Sequence, residues 1–213
     1  HRICRTVICS NRRFTYEEAQ DVIETGKGDF ADEILTLDRM AKILRKQRYD
    51  NGSIEFGRAE VKFDIDEQGH PTGVYFKESK DANKLVEEFM LLANKTVAAE
   101  IGRPVGKKKP KAFVYRIHDQ PDATKLADLA TLAKTFGHKI KTKGSPCDIN
   151  KSINRMLADI KGRAEENLLA VLAVRSMAKA VYSTENIGHY GLGFDYYTHF
   201  TSPIRRYPDM MVH

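Results

Sequence analysis

The residues best suited to chemistry stand together in His199-Phe200-Thr201-Ser202-Pro203-Ile204-Arg205-Arg206-Tyr207. Nine positions combine aromatic rings, hydroxyls, a proline and two adjacent guanidiniums. Arginine carries a planar fork of donors that stays charged at physiological pH and fits phosphate oxygens, and Pro203 restricts the backbone that presents it. The segment reads as a loop that holds an anion. A Ser-Pro-x-Arg-Arg string also suits an exposed turn or a salt-bridged loop, so residue types alone leave both readings open.

Other chemistries lack their residues. The chain has no H-E-x-x-H, no G-x-x-x-x-G-K-[ST], no G-x-G-x-x-G after a strand and no G-x-S-x-G, which removes zincin, P-loop, dinucleotide and nucleophile-elbow readings. Phosphodiester hydrolysis commonly uses two metal ions held by clustered carboxylates. No such cluster is legible. Asp64, Asp66 and Glu67 fit a solvated hairpin turn, and Asp32 and Glu33 fit a helix start.

The elements that must position the loop follow from periodicity. Residues 2 to 9 are short, β-branched and roughly alternating, which predicts a strand. Thr15 and Glu18 form a capping box for a helix over about 15 to 25, closed by Gly26-Lys27-Gly28. Ile34, Leu37, Ala41 and Leu44 give a second helix that runs to about Tyr49 and stops at Asn51-Gly52. Val61, Phe63 and Ile65 alternate with charged residues, and Val74 and Phe76 return after the turn at 66 to 69, predicting a hairpin.

A largely apolar helix is expected from Asp81 to Ile101. Its consecutive Glu87 and Glu88 point about 100° apart, so at least one should face a site or a cation. A basic run at 106 to 111 precedes a strand-like stretch at 112 to 117, and either a solvated loop or an RNA-backbone contact fits it. Three helices complete the pattern, at 126 to 136, 149 to 160 and 164 to 182, the last expected to be the central core helix. The fold class is therefore α+β, helix-rich, with a small, mostly antiparallel sheet.

At 213 residues one compact unit is expected. Lys and Arg number 35 against 29 Asp and Glu, a formal charge of +6 that favours a polyanionic partner without establishing one. Cys4, Cys9 and Cys147 are widely spaced, which fits neither a zinc ribbon nor a disulfide framework and points to reduced, buried side chains. No apolar stretch is long enough for a membrane span, and a cytoplasmic setting is expected. The chain opens on His1 without a leader and stops soon after the arginine pair, so both ends are expected to be cuts.

Read whole, THFTSPIRRYPD followed by Met-Met-Val-His resembles the closing motif of the RNB catalytic domain of the ribonuclease II and ribonuclease R family, processive exoribonucleases that degrade RNA from its 3′ end. Two further anchors, NGSIEFGRAEVKFDIDEQG (51 to 69) and SKDANKLVEEFMLLAN (79 to 94), resemble the family's channel hairpin and long acidic helix. The resemblance is nearest to ribonuclease R. It implies that residues 1 to 213 are one incomplete RNB domain, truncated at both ends.

On that resemblance Arg205 matches the arginine that stabilises charge on the scissile phosphate, and Arg206 an adjacent phosphate clamp. Phe56 matches an aromatic that stacks on a base near the 3′ end; a core phenylalanine is the alternative. Glu88, or its neighbour Glu87, matches a helix glutamate at the terminal ribose. Single-stranded RNA is the implied substrate, nucleoside 5′-monophosphates the products and Mg²⁺ the cofactor, with its aspartate ligands upstream. No metal ligand is expected in the chain, no bound ion, and little activity of the piece alone. The competing expectation is a non-catalytic RNA-binding module of the same fold. Truncation is also expected to leave apolar patches exposed, or a non-native dimer that hides them.

Overall fold

A computed structural model describes residues 4, 6 to 56, 60 to 103, 112 to 201 and 204 to 212. The elements in chain order are α1 (Tyr16–Thr25), α2 (Ala31–Asp50), β1 (Glu60–Ile65), β2 (Pro71–Lys77), α3 (Asp81–Gly102), β3 (Tyr115–Ile117), α4 (Ala123–Thr135), α5 (Pro146–Asp159), α6 (Glu166–Ser176), β4 (Val181–Ser183), a 3-10 turn (Tyr190–Leu192) and α7 (Tyr207–Val212). The strands form two antiparallel pairs, β1 with β2 and β3 with β4. The expected α+β, helix-rich architecture is what the chain adopts.

Local chemistry sets the helix ends. Thr15 Oγ1 accepts the Glu18 N–H at 3.1 Å while the Glu18 carboxylate accepts the Thr15 N–H at 2.7 Å, and Gly26 closes α1 in the left-handed region. Asp122 caps α4 by accepting from the Thr124 and Lys125 amides, and Ser145 caps α5 by accepting from Asp148, with Pro146 in its first turn.

Two apolar cores result. In the first, Leu126, Leu129 and Ala133 of α4 meet Ile149, Ile153 and Met156 of α5 and Leu169 and Ala173 of α6. The second joins Val97 and Ala98 of α3 to Phe113 and Tyr115 at β3, with Tyr196, Phe200 and Val212 packed against it. Gly102 makes that contact possible: a Cβ there would lie 2.0 Å from the Tyr115 hydroxyl oxygen.

Helices α1, α2 and α3 are tied by polar groups. Gln20 accepts the Ala82 N–H at 2.9 Å. Arg48 grips Glu88 through Nη2 at 2.5 Å and Nε at 3.3 Å, with side chains 8% and 3% exposed. Its Nη1 donates to Ser53 Oγ at 2.8 Å. The cation that one of the two glutamates was expected to face is thus Arg48.

Three sequence-based expectations fail. Residues 4 and 6 to 10 form no strand, and Val7 and Ile8 are fully or almost fully exposed, because this β-branched run has no partner to pair with. The helix expected over 164 to 182 stops at Ser176, and Val181–Ser183 instead pairs with Tyr115–Ile117. Helical periodicity continued past 176, but a waiting strand and the β-preferring Val181 and Tyr182 decided the conformation. Cys4 and Cys9, expected to be buried, are exposed, and Cys147 is half-buried.

The expected hairpin forms as β1–β2, with Val61 opposite Phe76 and Phe63 opposite Val74 on one face. All four are exposed. The basic run at 106 to 111 and Pro203 lie outside the described residues.

Glu88→Ala strands a buried guanidinium and is expected to lower unfolding free energy by about 3 to 5 kcal/mol, whereas the Arg48→Met/Glu88→Leu pair recovers most of that loss. Urea titration of the two variants checks this; a Glu88→Ala loss under about 1 kcal/mol would remove the pair from the framework.

Candidate nucleic-acid interface

The arginine pair sits in a loop organised by one carboxylate. Asp209, in α7 and 1% exposed, accepts the Thr201 N–H on Oδ1 at 2.6 Å and the Arg205 and Arg206 N–H groups on Oδ2 at 2.8 Å each. Burial opposes its charge, but these backbone donors and the nearby Arg206 guanidinium outweigh it and hold the carboxyl below its ordinary range. Arg205 is left exposed. Arg206 is half-buried, and its Nη1 is buried without a hydrogen-bond partner among the described residues. An unpaired buried guanidinium nitrogen is costly unless an acceptor arrives.

Strand β3 supports the approach to this loop. The Arg116 N–H donates to the Tyr197 carbonyl at 2.9 Å, and Thr198 Oγ1 donates to the Val114 carbonyl at 2.9 Å. This lays residues 197 and 198 along β3. From β4, the Tyr182 ring lies 21° from parallel with His199, and its hydroxyl meets His199 Nδ1 at 3.2 Å. The Arg116 guanidinium covers the Tyr182 ring at 4.7 Å. Beside them lies an apolar cleft of about 260 Å³ lined by Val114, Tyr182, Ser183, Thr184, Tyr207 and Pro208.

The electrostatics of this face are cationic. Burial and then the Arg206 and Arg116 charges lower the pKa of His199, with Asp209 acting in the opposite sense. Burial raises the Tyr197 phenol; Asn94, Arg206 and Arg116 oppose the rise, and Glu87 adds to it. Tyr197 therefore stands between α3 and the arginine loop. Guanidiniums interleaved with aromatic rings beside an apolar cleft suit a ligand that offers both phosphates and flat bases.

A histidine pair braces the turn before the loop. Gly191 N–H donates to His118 Nδ1 at 2.9 Å, so the His118 proton is on Nε2, 2.9 Å from the Ala178 carbonyl. His189 lies 4.9 Å away, ring to ring, and its Nδ1 accepts from Leu192 at 3.2 Å. Burial and then His118 push the His189 pKa down to about 3, so it is neutral at ordinary pH.

The sequence-predicted residues do not all meet at one place. Arg205 and Arg206 share the Asp209 loop. Glu88 is held by Arg48, while Glu87 beside it is 54% exposed, and Arg206 and Glu87 both act on Tyr197. Phe56 is partly buried against the first core. Among the described residues no group of three or more His, Cys, Asp or Glu converges. Sequence reasoning passed over Arg116, Tyr182 and Asp209 and left Tyr197 and His199 unassigned. Only Asp209 carried a signal: a carboxylate three and four residues beyond the arginines can reach back to their amides.

The family model described as the RNB domain matches residues 1–213. The chain is 37% identical over 220 residues to ribonuclease R of Aquifex aeolicus, covering 99% of this chain and 30% of that protein. It superposes on Mycoplasma genitalium RNase R in complex with ribose-methylated single-stranded RNA with a TM-score of 0.77 at 26% identity, covering 94% of this chain and 31% of that one. It shares its fold with yeast Ssd1, described as a pseudonuclease, with a TM-score of 0.63 at 22% identity, over 93% of this chain and 24% of that one. The chain spans about a third of the length of these proteins or less.

Because unfolded His189 titrates near 6.5 and folded His189 near 3, the unfolded chain binds the extra proton between these values, and stability present above pH 6.5 is lost as pH falls. Lowering the pH from 7 to 4.5 should cost on the order of 2 kcal/mol from this ring, with His199 adding in the same direction. The lowered carboxyls Asp122, Asp148 and Asp209 lose their contributions below about 4, outside this window, while Glu18, Glu55 and Glu165, lowered from 4.5, begin to lose theirs at its acid end in wild type and variant alike. Thermal melts of wild type and His189→Gln from pH 7 to 4.5 check this; the variant should show the flatter dependence.

Proposed function

The chain belongs to the RNB domain family, and from that membership we propose that it forms the substrate-gripping portion of a 3′→5′ exoribonuclease that hydrolyses single-stranded RNA to nucleoside 5′-monophosphates in the cytoplasm. The observation that carries this reading is the Asp209-held loop, with Arg205 exposed and an Arg206 Nη1 that is buried without a partner among the described residues, near Tyr197 and His199. The Arg205 fork binds the non-bridging oxygens of the scissile phosphate and counters charge that grows as the bond breaks. Arg206 clamps an adjacent phosphate. Stacking of a base on the accessible part of the partly buried Phe56 ring adds about 1 to 3 kcal/mol.

The helix carboxylate that meets the terminal ribose is then Glu87, since Arg48 occupies both oxygens of Glu88. Mg²⁺ as the cofactor of the intact protein, held by aspartates outside these residues, is part of the same proposal. On this reading the 213-residue chain by itself binds RNA and does not cleave it. A non-catalytic RNA-binding module is the second reading, since this fold also occurs in yeast Ssd1, described as a pseudonuclease, and fold does not decide activity.

In the intact protein, Arg205→Ala should lower kcat on a 5′-labelled oligo(A) by about 10² to 10³-fold with a smaller change in KM. A rate equal to wild type would end the catalytic role of Arg205, and an intact protein that binds the oligomer without releasing mononucleotides would leave the binding-module reading. The isolated chain with poly(A) and magnesium should release no mononucleotide while binding RNA with an affinity that falls steeply with salt.

A further inference from the structure

We infer that Asp209 is the positioning residue of the arginine loop: it never touches RNA, but its carboxylate sets the backbone from which Arg205 and Arg206 reach the phosphates. The inference rests on the reading that this loop meets RNA. Both Asp209 oxygens are used on the loop itself, one by Thr201 at its start and the other by Arg205 and Arg206 at its end. A backbone bond from the Asp209 N–H to the Arg206 carbonyl at 3.0 Å completes the closure. At 1% exposure the carboxylate is shut away from any ligand, so it can influence substrate only through what it holds.

The geometry separates this role from support of the fold. The Arg48–Glu88 pair joins two long helices, and its loss strains the framework. The hydrogen bonds of the Asp209 carboxylate run to three amides within eight residues of it, and these amides belong to the segment that carries the guanidiniums. Replacing the carboxylate frees that segment first. Asparagine keeps the shape and one acceptor oxygen. If that oxygen serves Arg205 and Arg206, the amide nitrogen faces the Thr201 N–H, donor against donor. Asp209→Asn should therefore retain part of the function and Asp209→Ala little.

The test uses the intact protein with Asp209→Asn, Asp209→Ala, Arg205→Ala and the Asp209→Ala/Arg205→Ala pair, assayed well below each melting temperature. Amide hydrogen exchange should quicken by at least tenfold at Thr201, Arg205 and Arg206 in Asp209→Ala, and much less in the α4–α6 core. On a labelled oligo(A), Asp209→Ala should lower kcat by about 10²-fold, the scale of a small misplacement of a reacting group, with Asp209→Asn intermediate. The double variant should lose no more than about threefold beyond Arg205→Ala alone, since Asp209 acts through that side chain.

Unchanged exchange at the three amides overturns the inference, and so do losses that multiply in the double variant. Should Asp209→Ala fail to fold, Asp209→Asn is read in its place by the same exchange and the same cycle. If Asp209→Ala frees the three amides while Arg205→Ala cleaves at the wild-type rate, the hold on the loop stands and the proposed function falls. If Arg205→Ala is impaired while Asp209→Ala is not, the positioning role falls and the function stands.

Discussion

The buried pairing of Arg48 with Glu88 is the constraint on which the rest of the structure leans. Two charges removed from water must satisfy each other, and here the guanidinium also reaches a third partner, Ser53. Ser53 passes the connection on by donating to the Gly191 carbonyl at 3.2 Å, and Gly191 in turn donates to His118, which donates to Ala178. A polar chain thus runs from the α2–α3 contact, across the turn before the arginine loop, to the segment entering β4. Asn150 and Asn154 of α5 fasten the same stretch by donating to the carbonyls of Gly52 and Ser53 at 2.7 Å. Each member has its partner in a particular orientation, so the arrangement specifies geometry in a way that apolar packing alone does not.

This framework separates two kinds of glutamate that the sequence sets side by side. Glu88 is spent on the fold, while Glu87 reaches the same Arg48 only at 3.7 Å and keeps about half of its side chain in solvent. The cationic face gathers side chains far apart in the chain: Arg116 from β3, Tyr182 from β4, His199 and the two arginines from the final segment. The small β3–β4 sheet brings them together, and residues 197 and 198 lie along its β3 edge. The proposed grip on a phosphodiester chain rests on this clustering.

Much of this was legible because local signals were strong. The Thr15–Glu18 box, the Ile34–Leu44 periodicity and the alternation of Val61, Phe63 and Ile65 each specify an element within a few residues, and each is present. The arginine loop was legible from residue types and from resemblance. What escaped depends on distant partners. Residues 6 to 9 have strand composition but nothing to pair with, and the stretch at 181 to 183 continues a helical pattern yet pairs with β3. Tyr182, Arg116 and His199 form a group only once that pairing exists. The helix pattern left open whether Glu87 or Glu88 would face a site or a cation, and Glu88 was singled out only by resemblance; the charge it meets stands forty positions earlier, beyond the reach of a local pattern.

The β1–β2 hairpin carries its own consequence. Its strands pack mainly on each other, and Val61, Phe63, Val74 and Phe76 turn one apolar face to water. Such a ribbon is marginal when it stands alone and opens as a unit separate from the two cores. An apolar patch on a ribbon with two open edges is the kind of surface that favours contact with other apolar groups over water.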